Sequence, residues 1–544
     1  MAHPPPPPPA TFEDAQESWI RIVQGAERAL AVSDGDQYRL SRTRTLLSHV
    51  TDQIQRSVPT YFTVNTASPL LATISRLDSA LRQAIANSTD STVSYTIQPA
   101  SYLPSGSAGG NSKLFIHPDF LSLVVEEYGY GPSHISKILK RNGVEVSART
   151  VRRRIIEQGL RAPNEPSKPV STRLSEEEVD QIVLDLRSQQ PAIGLRYLTG
   201  ALRAEGIRIP RAVLRASVHR IDPFPTLFAE TRRSYAQRRV YSNGGSNNTW
   251  HHDGQHGLIG NGIVIHGFID GHSRLVTGLR ASGNNRATTV LSLFLSATAE
   301  YGVPSRVRGD RGGENVQVAY WMERYRGPGR GSYLWGRFVS MFFSSTFPEF
   351  ANSSLTDSSI LRDSSPHNTR IERLWPEVTR LVTSKWQRFF KELEIEGLYN
   401  PDIPRHIWLG IFLFLDDIND DLKAFQNQHN QHPLSTANER SPVELFFESM
   451  VDRGVRGLWD SATQIDEDLQ YVESQDEELG ELERLNVNGH VSLEDARCPW
   501  GDDEEGWVNM RERMETEWTL DGIERWMRGQ EAMLATMDEL GVEM

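Results

Sequence analysis

The sequence contains a single cysteine, Cys498, in 544 residues. One thiol cannot close an internal disulfide and leaves no cysteine-rich zinc site, which suits a reducing compartment. There is also no run of about 18 apolar residues, the length that a membrane-spanning helix needs. The chain begins with a proline tract, Pro4–Pro9, and not with a charged stub before an apolar stretch. We therefore expect a soluble protein that is not secreted and has no membrane partner.

The chain also has no overall excess of positive charge, since its net charge is -13 at pH 7. The acidity is concentrated at one end, because residues 451–544 carry 26 acidic and 8 basic side chains and the first 450 residues have a balance of +5. The average charge therefore does not exclude a polyanionic partner for the rest of the chain. The length predicts several domains of roughly 150 residues each.

The two ends of the chain differ from its middle in composition. Residues 1–112 run from polyproline into a Ser/Gly/Pro-rich segment at 104–112 that is typical of a flexible linker, so we expect this region to be partly disordered. Residues 451–544 alternate acidic runs with apolar residues at helical spacing, which predicts an acidic helical region. Its acidic residues either form a solvated helical face or partner a basic surface of this chain or another protein.

Two basic helical regions follow the linker. In residues 113–165, Ile135, Ile138 and Leu139 have helical spacing, and Ser147 is placed to cap a second helix from 148 to 158. Residues 170–240 repeat this arrangement, with a capping box of Ser175 and Glu178 at the start and a last helix near 211–220. Residues 133–161 carry 8 basic and 2 acidic side chains, and residues 203–239 carry 9 and 3.

Such an arrangement is typical of helix-turn-helix units, which place a basic helix in the major groove of DNA. The predicted DNA contacts are arginines on these helices: Arg149, Arg152, Arg153, Arg211 and Arg215. The alternative is that both regions are ordinary three-helix packing units with solvated arginines. Two basic units in tandem favour DNA binding.

From residue 250 onwards the apolar period becomes that of strands. Apolar segments at 258–259, 262–269 and 274–279 are each bounded by Gly, Asn, Asp or Ser, which predicts three adjacent strands. A helix then fits 287–301, a short strand leads into Asp310, and another helix opens at 367–375. This order predicts an α/β domain with a mixed sheet.

Four blocks of this region resemble the integrase catalytic core family, which has the RNase-H-like fold of retroviral integrases and many DDE-type transposases. They are Trp250-His-His-Asp253, Phe268-Ile-Asp-Gly-His-Ser-Arg274, residues 302–315 (GVPSRVRGDRGGEN) and His367-Asn-Thr-Arg-Ile-Glu-Arg-Leu-Trp375. The resemblance covers residues 245–450. It implies an RNase-H-like core with a mixed five-stranded sheet and flanking helices. Together with the patterns described above, the predicted fold is this α/β core, preceded by the all-α helix-turn-helix units and followed by the acidic helical tail.

In that family three carboxylates hold two Mg²⁺ or Mn²⁺ ions, and the matching positions here are Asp253, Asp310 and Glu372. Carboxylate oxygens are the ligands that such hard cations prefer, and a pair of ions can assist in-line phosphoryl transfer. The implied reaction is hydrolysis of a DNA phosphodiester, followed by attack of the freed 3′-hydroxyl on another duplex. The implied partners are double-stranded DNA and further copies of the chain in a dimer or larger homo-oligomer.

Other polar residues near these blocks have simpler interpretations. Asp270 lies in an Asp-Gly turn after a strand, which favours a hairpin over a metal ligand, and Glu314 favours the start of a helix. A zinc site at the five histidines of 251–272 is disfavoured, since no cysteine lies nearby. Asn368 lies one turn before Glu372, so it either orients that carboxylate, contacts a DNA phosphate or caps the helix.

Two features depart from the family pattern. The 61 residues between Asp310 and Glu372 exceed the family's usual spacing, and we assign the surplus to residues 338–364, either an unspliced intron or a long loop. Pro376 stands four residues after Glu372, where its ring would crowd the Glu372 carbonyl group in a continuous helix. The helix should therefore kink or restart there.

The leading functional hypothesis is a DNA strand transferase that acts in the nucleus. The competing class is a domesticated, catalytically inactive DNA-binding protein, and a third option is an RNase-H-like nuclease that cuts without joining. All three matching carboxylates are present in order, which favours the enzyme.

Overall fold

The structure is a computed structural model. It describes residues 19–20, 22–27, 30, 37–61, 64–86, 97–103, 113–162, 172, 174–222, 244–309, 312–326, 333–335, 368–457, 498–501, 503–515 and 517–542. The linker predicted at 104–112 and the insertion predicted at 338–364 lie outside these residues. Within them, no helix is both long enough and apolar enough to cross a membrane.

Two long helices lie nearest the N-terminus, α1 (Gln37–Tyr61) and α2 (Val64–Ala86). They pack on each other through Leu47, Ile54, Leu81 and neighbouring apolar side chains, which form a hydrophobic cluster of their own. The antiparallel strands β1 (Ala100–Leu103) and β2 (Lys113–Ile116) follow.

Helical unit 1, as we call residues 118–157, consists of α3 (Pro118–Ser122), a wider π-helical turn at 123–127, α4 (Pro132–Arg141) and α5 (Ala148–Glu157). The Ser147 hydroxyl accepts a hydrogen bond from the Thr150 amide, so the predicted cap of α5 is confirmed. Ile135, Ile138, Leu139, Val151 and Ile155 fill the core of this unit. The apolar spacing seen in the sequence is therefore the inner face of both helices.

Helical unit 2, residues 176–221, consists of α6 (Glu176–Gln189), α7 (Leu195–Ala204) and α8 (Arg211–Ile221). Ser175 and Glu178 form the predicted capping box. Gly200 in α7 allows a close approach to another helix, because a Cβ there would lie 2.2 Å from the Gln428 carbonyl oxygen. Unit 2 therefore packs tightly against the domain that follows it.

A mixed sheet forms the centre of the next region. Its strands are β3 (Thr249–Leu258), β4 (Ile263–Asp270), β5 (Val276–Ser282), β6 (Arg306–Gly309) and β7 (Tyr333–Trp335), with α9 (Ala287–Tyr301) between β5 and β6 and α10 (Val316–Arg326) between β6 and β7. The strand order is β5-β4-β3-β6-β7. β3, β4 and β5 are antiparallel neighbours, whereas β6 runs parallel to β3 and β7 parallel to β6. The mixed α/β arrangement predicted from the sequence is confirmed.

Helices cover both faces of the sheet. On one face α9 and α10 pack on Trp250 and Phe268 through Leu291, Phe294 and Val318. The other face is covered by α11 (Thr369–Glu372), α12 (Trp375–Val378), a π-helical turn at 379–383, α13 (Ser384–Ile395) and the 28-residue α14 (Pro404–Gln431). Helix α15 (Pro442–Arg453) follows.

The helix that carries Glu372 is broken, as Pro376 predicts. α11 ends at Glu372, and α12 restarts at Trp375 with the proline in its first turn. A proline at this position needs no amide partner, since the first amides of a helix have none within the helix.

The C-terminal helices α16 (Glu504–Met514) and α17 (Gly522–Glu539) do not form a separate unit. Trp526 is fully buried, and its indole N–H donates to the Leu398 carbonyl oxygen at 3.2 Å. Met510, Met533 and Met537 share one hydrophobic core with α13, α14 and unit 2. The sequence boundary drawn near 450 therefore does not divide the hydrophobic core.

Candidate active site

Asp253 lies in the middle of β3 and is half-buried. The Trp375 indole N–H donates to Asp253 Oδ2 at 2.9 Å, and the Gly254 amide donates to Asp253 Oδ1 at 3.0 Å. Trp375 begins α12 and packs close to Gly267 on β4, where a Cβ would meet the indole ring at 2.9 Å. The carboxylate is therefore held at the junction of β3 with the restarted helix.

Asn368 fastens the start of α11 to the same strand. Its amide group donates to the His252 carbonyl oxygen at 2.9 Å, and its Oδ1 lies 3.0 Å from Nδ1 of His251. Because Oδ1 can only accept, the His251 ring proton is on Nδ1. Asn368 is 6% exposed and makes no side-chain cap. Both ends of its amide thus bind β3, and the phosphate contact predicted for Asn368 stays a prediction.

Glu372 is exposed at the last residue of α11. Downstream, the Gln255 amide donates to the hydroxyl groups of Thr379 and Thr383 at 2.9 and 3.2 Å. Contacts from Asn368, Trp375 and the two threonines thus bind the broken helix to β3 on both sides of Glu372. The backbone carrying Glu372 is fixed relative to Asp253 even though its side chain faces solvent.

Asp310 lies outside the described residues. β6 ends one residue before it, at Gly309, and the last registered pair of β6 with β3 joins Arg308 and His251. Among the described residues, no group of three or more His, Cys, Asp or Glu side chains could hold a metal. The convergence of Asp253, Asp310 and Glu372 stays a prediction. Asp253 and Glu372 offer carboxylate oxygens, the type of ligand that a hard divalent cation prefers. Asp253 lies on β3, which is paired with β6, the strand that leads to Asp310.

Asp270 has a structural role. It is fully buried and accepts hydrogen bonds from the Asn247, His272 and Ser273 amides and the Ser273 hydroxyl, at 2.7 to 3.1 Å. Burial raises the pKa of its carboxyl group, and these hydrogen bonds oppose the rise. Glu314 lies in a short turn directly before α10. These positions agree with the turn predicted for Asp270 and the helix start predicted for Glu314.

The histidines of β3 and β4 pack with aromatic rings. His252 stacks on Phe268 with ring centroids 4.3 Å apart, and His266 lies 6.0 Å from His252. Burial, followed by the charges of His256 and Arg280, lowers the pKa of His266 to about 4. None of these rings belongs to a metal-binding group in the described part of the chain. His252 and His266 are therefore neutral side chains of the core.

The arginines predicted to contact DNA lie on exposed helix surfaces. Arg149, Arg152 and Arg153 are exposed on α5, and Arg153 pairs with Glu157 at 3.8 Å. Arg154 differs, since it is buried and bonds Glu157. Arg211 and Arg215 are exposed on α8, where Arg211 pairs with Glu439 at 3.2 Å. An exposed pair of this kind is weak and gives way to a stronger anion.

Sequence reasoning assigned no role to Trp375 or Gln255 and considered His251 only as a zinc ligand. Trp375 closes one of the blocks quoted above, so its position was visible. Its hydrogen bond to Asp253 depends on the helix restarting after Glu372, which places the indole against β3. No local sequence signal predicts that the Trp375 side chain points toward β3.

Comparison with known proteins gives a family match and a number of solved structures. The family model described as "Integrase core domain" matches residues 240–342 and 349–457. One of the solved structures is a cryoEM structure of simian T-cell lymphotropic virus intasome in complex with PP2A regulatory subunit B56 gamma. It is 13% identical, covers 51% of this chain and 75% of that chain, and has a TM-score of 0.25, too low to support a structural argument. No curated protein matches.

The gap in the family match, residues 343–348, falls inside the segment predicted as an insertion. The two matched parts together span β3 to β7 and α11 to α15, the same elements that hold Asp253 and Glu372. Residues 240–342 and 349–457 of this chain therefore match the integrase core domain family.

Proposed function

We propose that this protein is a metal-dependent DNA strand transferase whose active centre is formed by Asp253, Asp310 and Glu372. The observation that carries the proposal is the attachment of α11 and α12 to β3 by Asn368 and Trp375, which fixes two of the three carboxylate-bearing segments together. The third carboxylate follows β6, the strand hydrogen-bonded to β3. All three positions lie in the matched integrase core domain.

Integrase-type core domains typically use divalent metals. Here the carboxylates of Asp253, Asp310 and Glu372 would hold two Mg²⁺ or Mn²⁺ ions, which when bound lower the pKa of an attacking hydroxyl group and neutralise charge on the phosphorane-like transition state. The hydrogen bonds from Trp375 and Gly254 orient the Asp253 carboxylate for this role. The reaction is cleavage of a DNA phosphodiester to free a 3′-hydroxyl, then attack of that hydroxyl on a second duplex.

Helical units 1 and 2 would supply DNA contacts through the exposed arginines of α5 and α8. Those side chains carry positive charge on surfaces that a phosphate backbone can reach, and such charge dominates binding affinity for DNA. Because the resembling family usually joins two DNA ends with at least a dimer, we include a homodimer or larger assembly in the proposal. Because the proposed substrate is DNA, we also propose that the protein acts in the nucleus.

The test is cleavage of supercoiled plasmid by the full chain in Mn²⁺, with Ca²⁺ as the non-supporting cation. We expect nicking that Asp253→Asn, Asp310→Asn and Glu372→Gln each reduce by at least about 100-fold. The matched control is Glu392→Gln, which removes an exposed carboxylate from α13. Equal rates in the control and in Asp253→Asn would show that the carboxylates are not catalytic.

A non-catalytic DNA-binding protein is the second candidate. It is favoured by the exposed arginines of α5, which do not depend on the acidic centre. If the chain retards a DNA duplex in gel shift but shows no metal-dependent nicking or joining, this candidate replaces the enzyme. If nicking occurs without any joined product, the function is that of a nuclease.

A further inference from the structure

A group of basic side chains lies on β3, β4 and the edge strand β5. His266 on β4 is paired in register with Gly254 on β3 and with Arg280 on β5. A Cβ on Gly254 would lie 3.7 Å from His256 Nε2 and 3.7 Å from the His266 ring. His256, His266 and Arg280 therefore lie around one position above Gly254. Because side chains alternate along a strand, this group is on the face of the sheet opposite Asp253.

Arg280 is a partly buried cation without an acidic partner in the described part of the chain. Its guanidinium group donates to the Thr289 carbonyl oxygen at 3.2 Å, and burial alone lowers its pKa. A charge that is removed from water costs free energy unless an opposite charge pairs with it. A guanidinium group has five N–H donors, so one bond to a neutral acceptor leaves others for an anion.

His266 is 2% exposed, and neither of its ring nitrogens has a hydrogen-bond partner among the residues that the structure describes. The neighbouring Asn285 acts on the pKa of His266, but no hydrogen bond of normal geometry joins the two side chains. Buried polar groups of native proteins nearly always have a hydrogen-bond partner. One nitrogen of a neutral imidazole carries a proton, so His266 can donate to an acceptor.

The electrostatic potential around His266 is positive. Burial, followed by the charges of His256 and Arg280, lowers the pKa of His266, and no carboxylate contributes to it. A site that disfavours a further positive charge favours an anion for the same reason. His256 is exposed and Gly254 has no side chain, so an anion can approach from solvent.

We propose that His256, His266 and Arg280 bind a phosphate of the DNA backbone, at a site additional to the acidic centre and to the arginines of α5 and α8. The proposal rests on the proposed DNA substrate but not on catalysis. The free oxygens of a phosphodiester only accept hydrogen bonds, which suits three side chains that can each donate one. His256 follows Asp253 by three residues, or about 10 Å along β3. The bound phosphate therefore lies roughly three base pairs or more from the cleaved bond.

The experiment measures binding of a fluorescent duplex of about 30 base pairs by fluorescence anisotropy, with the full chain in EDTA and over a range of KCl concentrations. The variants are Arg280→Gln, which removes the partly buried charge, and His256→Glu, which places a carboxylate beside it at an exposed position. The matched control is Arg528→Gln, which removes an exposed positive charge from α17. Urea unfolding shows whether each variant is folded, and His256→Glu serves if Arg280→Gln is not.

We expect both site variants to bind the duplex about 5- to 10-fold more weakly, and the log–log salt dependence of Arg280→Gln to fall by about one ion, with the control unchanged. Equal affinity losses in all three variants, unchanged affinity in the folded site variants, or no DNA binding by the unsubstituted chain would overturn the proposal. So would thermal stabilisation by inorganic phosphate that Arg280→Gln abolishes without losing DNA affinity, because the site would then hold a free anion. If the unsubstituted chain binds the duplex in EDTA but does not nick plasmid in Mn²⁺, only the proposed catalysis is contradicted.

Discussion

The Trp375 indole restricts how the Asp253 carboxylate turns. One carboxylate oxygen accepts from the indole and the other from the Gly254 amide, so the plane of the carboxylate is fixed by two donors. Replacing a group that orients a metal ligand typically lowers metal affinity or activity by roughly 10- to 100-fold. Trp375 is thus a positioning residue for the proposed centre.

Replacing Trp375 by Phe tests that role. Trp375→Phe keeps an aromatic ring beside Gly267 and removes the N–H donor to Asp253. We expect Mn²⁺ affinity to fall roughly 10-fold, and the free energy of unfolding to fall by only about 1 kcal/mol. Mn²⁺ binding followed by calorimetry and urea unfolding measure the two effects.

The matched control is Trp386→Phe, which removes an indole bond to Asp421 of 2.8 Å on α13 and α14. It should cost similar stability and leave Mn²⁺ affinity unchanged. If both variants lose Mn²⁺ affinity equally, the Trp375 bond has no specific role.

At this scale the sequence predicts the identity of site residues better than their contacts. The blocks around Asp253 and Glu372 were recognised from spacing and residue type. Asn368 was given three roles, none of which includes its bonds to β3. A side chain four residues before a carboxylate shares its helical face, but α11 is only one turn long, and its tertiary neighbour decides where the amide points.

At the scale of elements, the break between α11 and α12 follows directly from Pro376. Local steric rules operate over four residues, so the sequence contains all that is needed to predict the break. The π-helical turn at 379–383 was not predicted. It coincides with the bonds from Gln255 to Thr379 and Thr383, which join elements more than 120 residues apart.

Asn368→Ala should weaken the attachment of α11 to β3 and lower the free energy of unfolding. The change leaves the buried His252 carbonyl oxygen and the His251 ring N–H without their partner, at a cost of about 2 kcal/mol. Duplex binding in EDTA should be unchanged, because the Asn368 amide faces β3. Urea unfolding and anisotropy measure these outcomes.

Asn261→Ala, which removes an amide bond to Tyr399 of 3.0 Å, is the control for stability. A selective loss of DNA affinity in Asn368→Ala would support the predicted phosphate contact.

Gly200→Ala should separate α7 from α14. The new Cβ would lie 2.2 Å from the Gln428 carbonyl oxygen and 3.0 Å from His432 Cβ, so one helix has to shift. We expect a loss of about 1–3 kcal/mol despite the better helix propensity of alanine.

Gly194→Ala is the control, since nothing lies within 4 Å of its Cβ. It should cost less than about 1 kcal/mol. Urea unfolding distinguishes the two, and equal costs would mean that the contact of α7 with α14 is not tight.

For the whole molecule, acidic pH should weaken the packing of unit 2 on the core domain. Burial, followed by the charge of His432, lowers the pKa of His429 to about 3. Its Nε2 lies 3.1 Å from the Arg274 carbonyl oxygen and its Nδ1 lies 3.0 Å from the Tyr197 hydroxyl, a pattern that suits the neutral ring. Protons therefore bind the unfolded chain first, and stability falls as the pH drops below about 6.5 toward 3.

His429→Gln measures this contribution. The variant should be less stable at neutral pH but lose up to about 2 kcal/mol less between pH 7 and 5 than the unsubstituted chain. Urea midpoints at both pH values provide the measurement. The same pH dependence in both proteins would show that His429 is not a source of acid sensitivity.

The order of helices, strands and helices was predictable for the molecule as a whole, since each element has its own apolar period. The sequence did not predict that unit 2 and the C-terminal helices share one hydrophobic core with the sheet. This packing depends on apolar residues separated by several hundred positions, and on side chains such as Trp526 whose burial no local pattern indicates.

The attachment of unit 1 to α15 has a geometric consequence. Tyr128 stacks on Phe447 with ring centroids 4.3 Å apart, and Glu448 binds His134 and Arg141 of unit 1 and Arg440 of the core domain. These contacts hold unit 1, which contains α5, in a fixed position on α15. If α5 recognises a DNA sequence and Asp253 helps to cut the same duplex, the number of base pairs between the recognised motif and the cleaved bond is constant. Glu448→Ala, which removes contacts across the junction, should make that number variable.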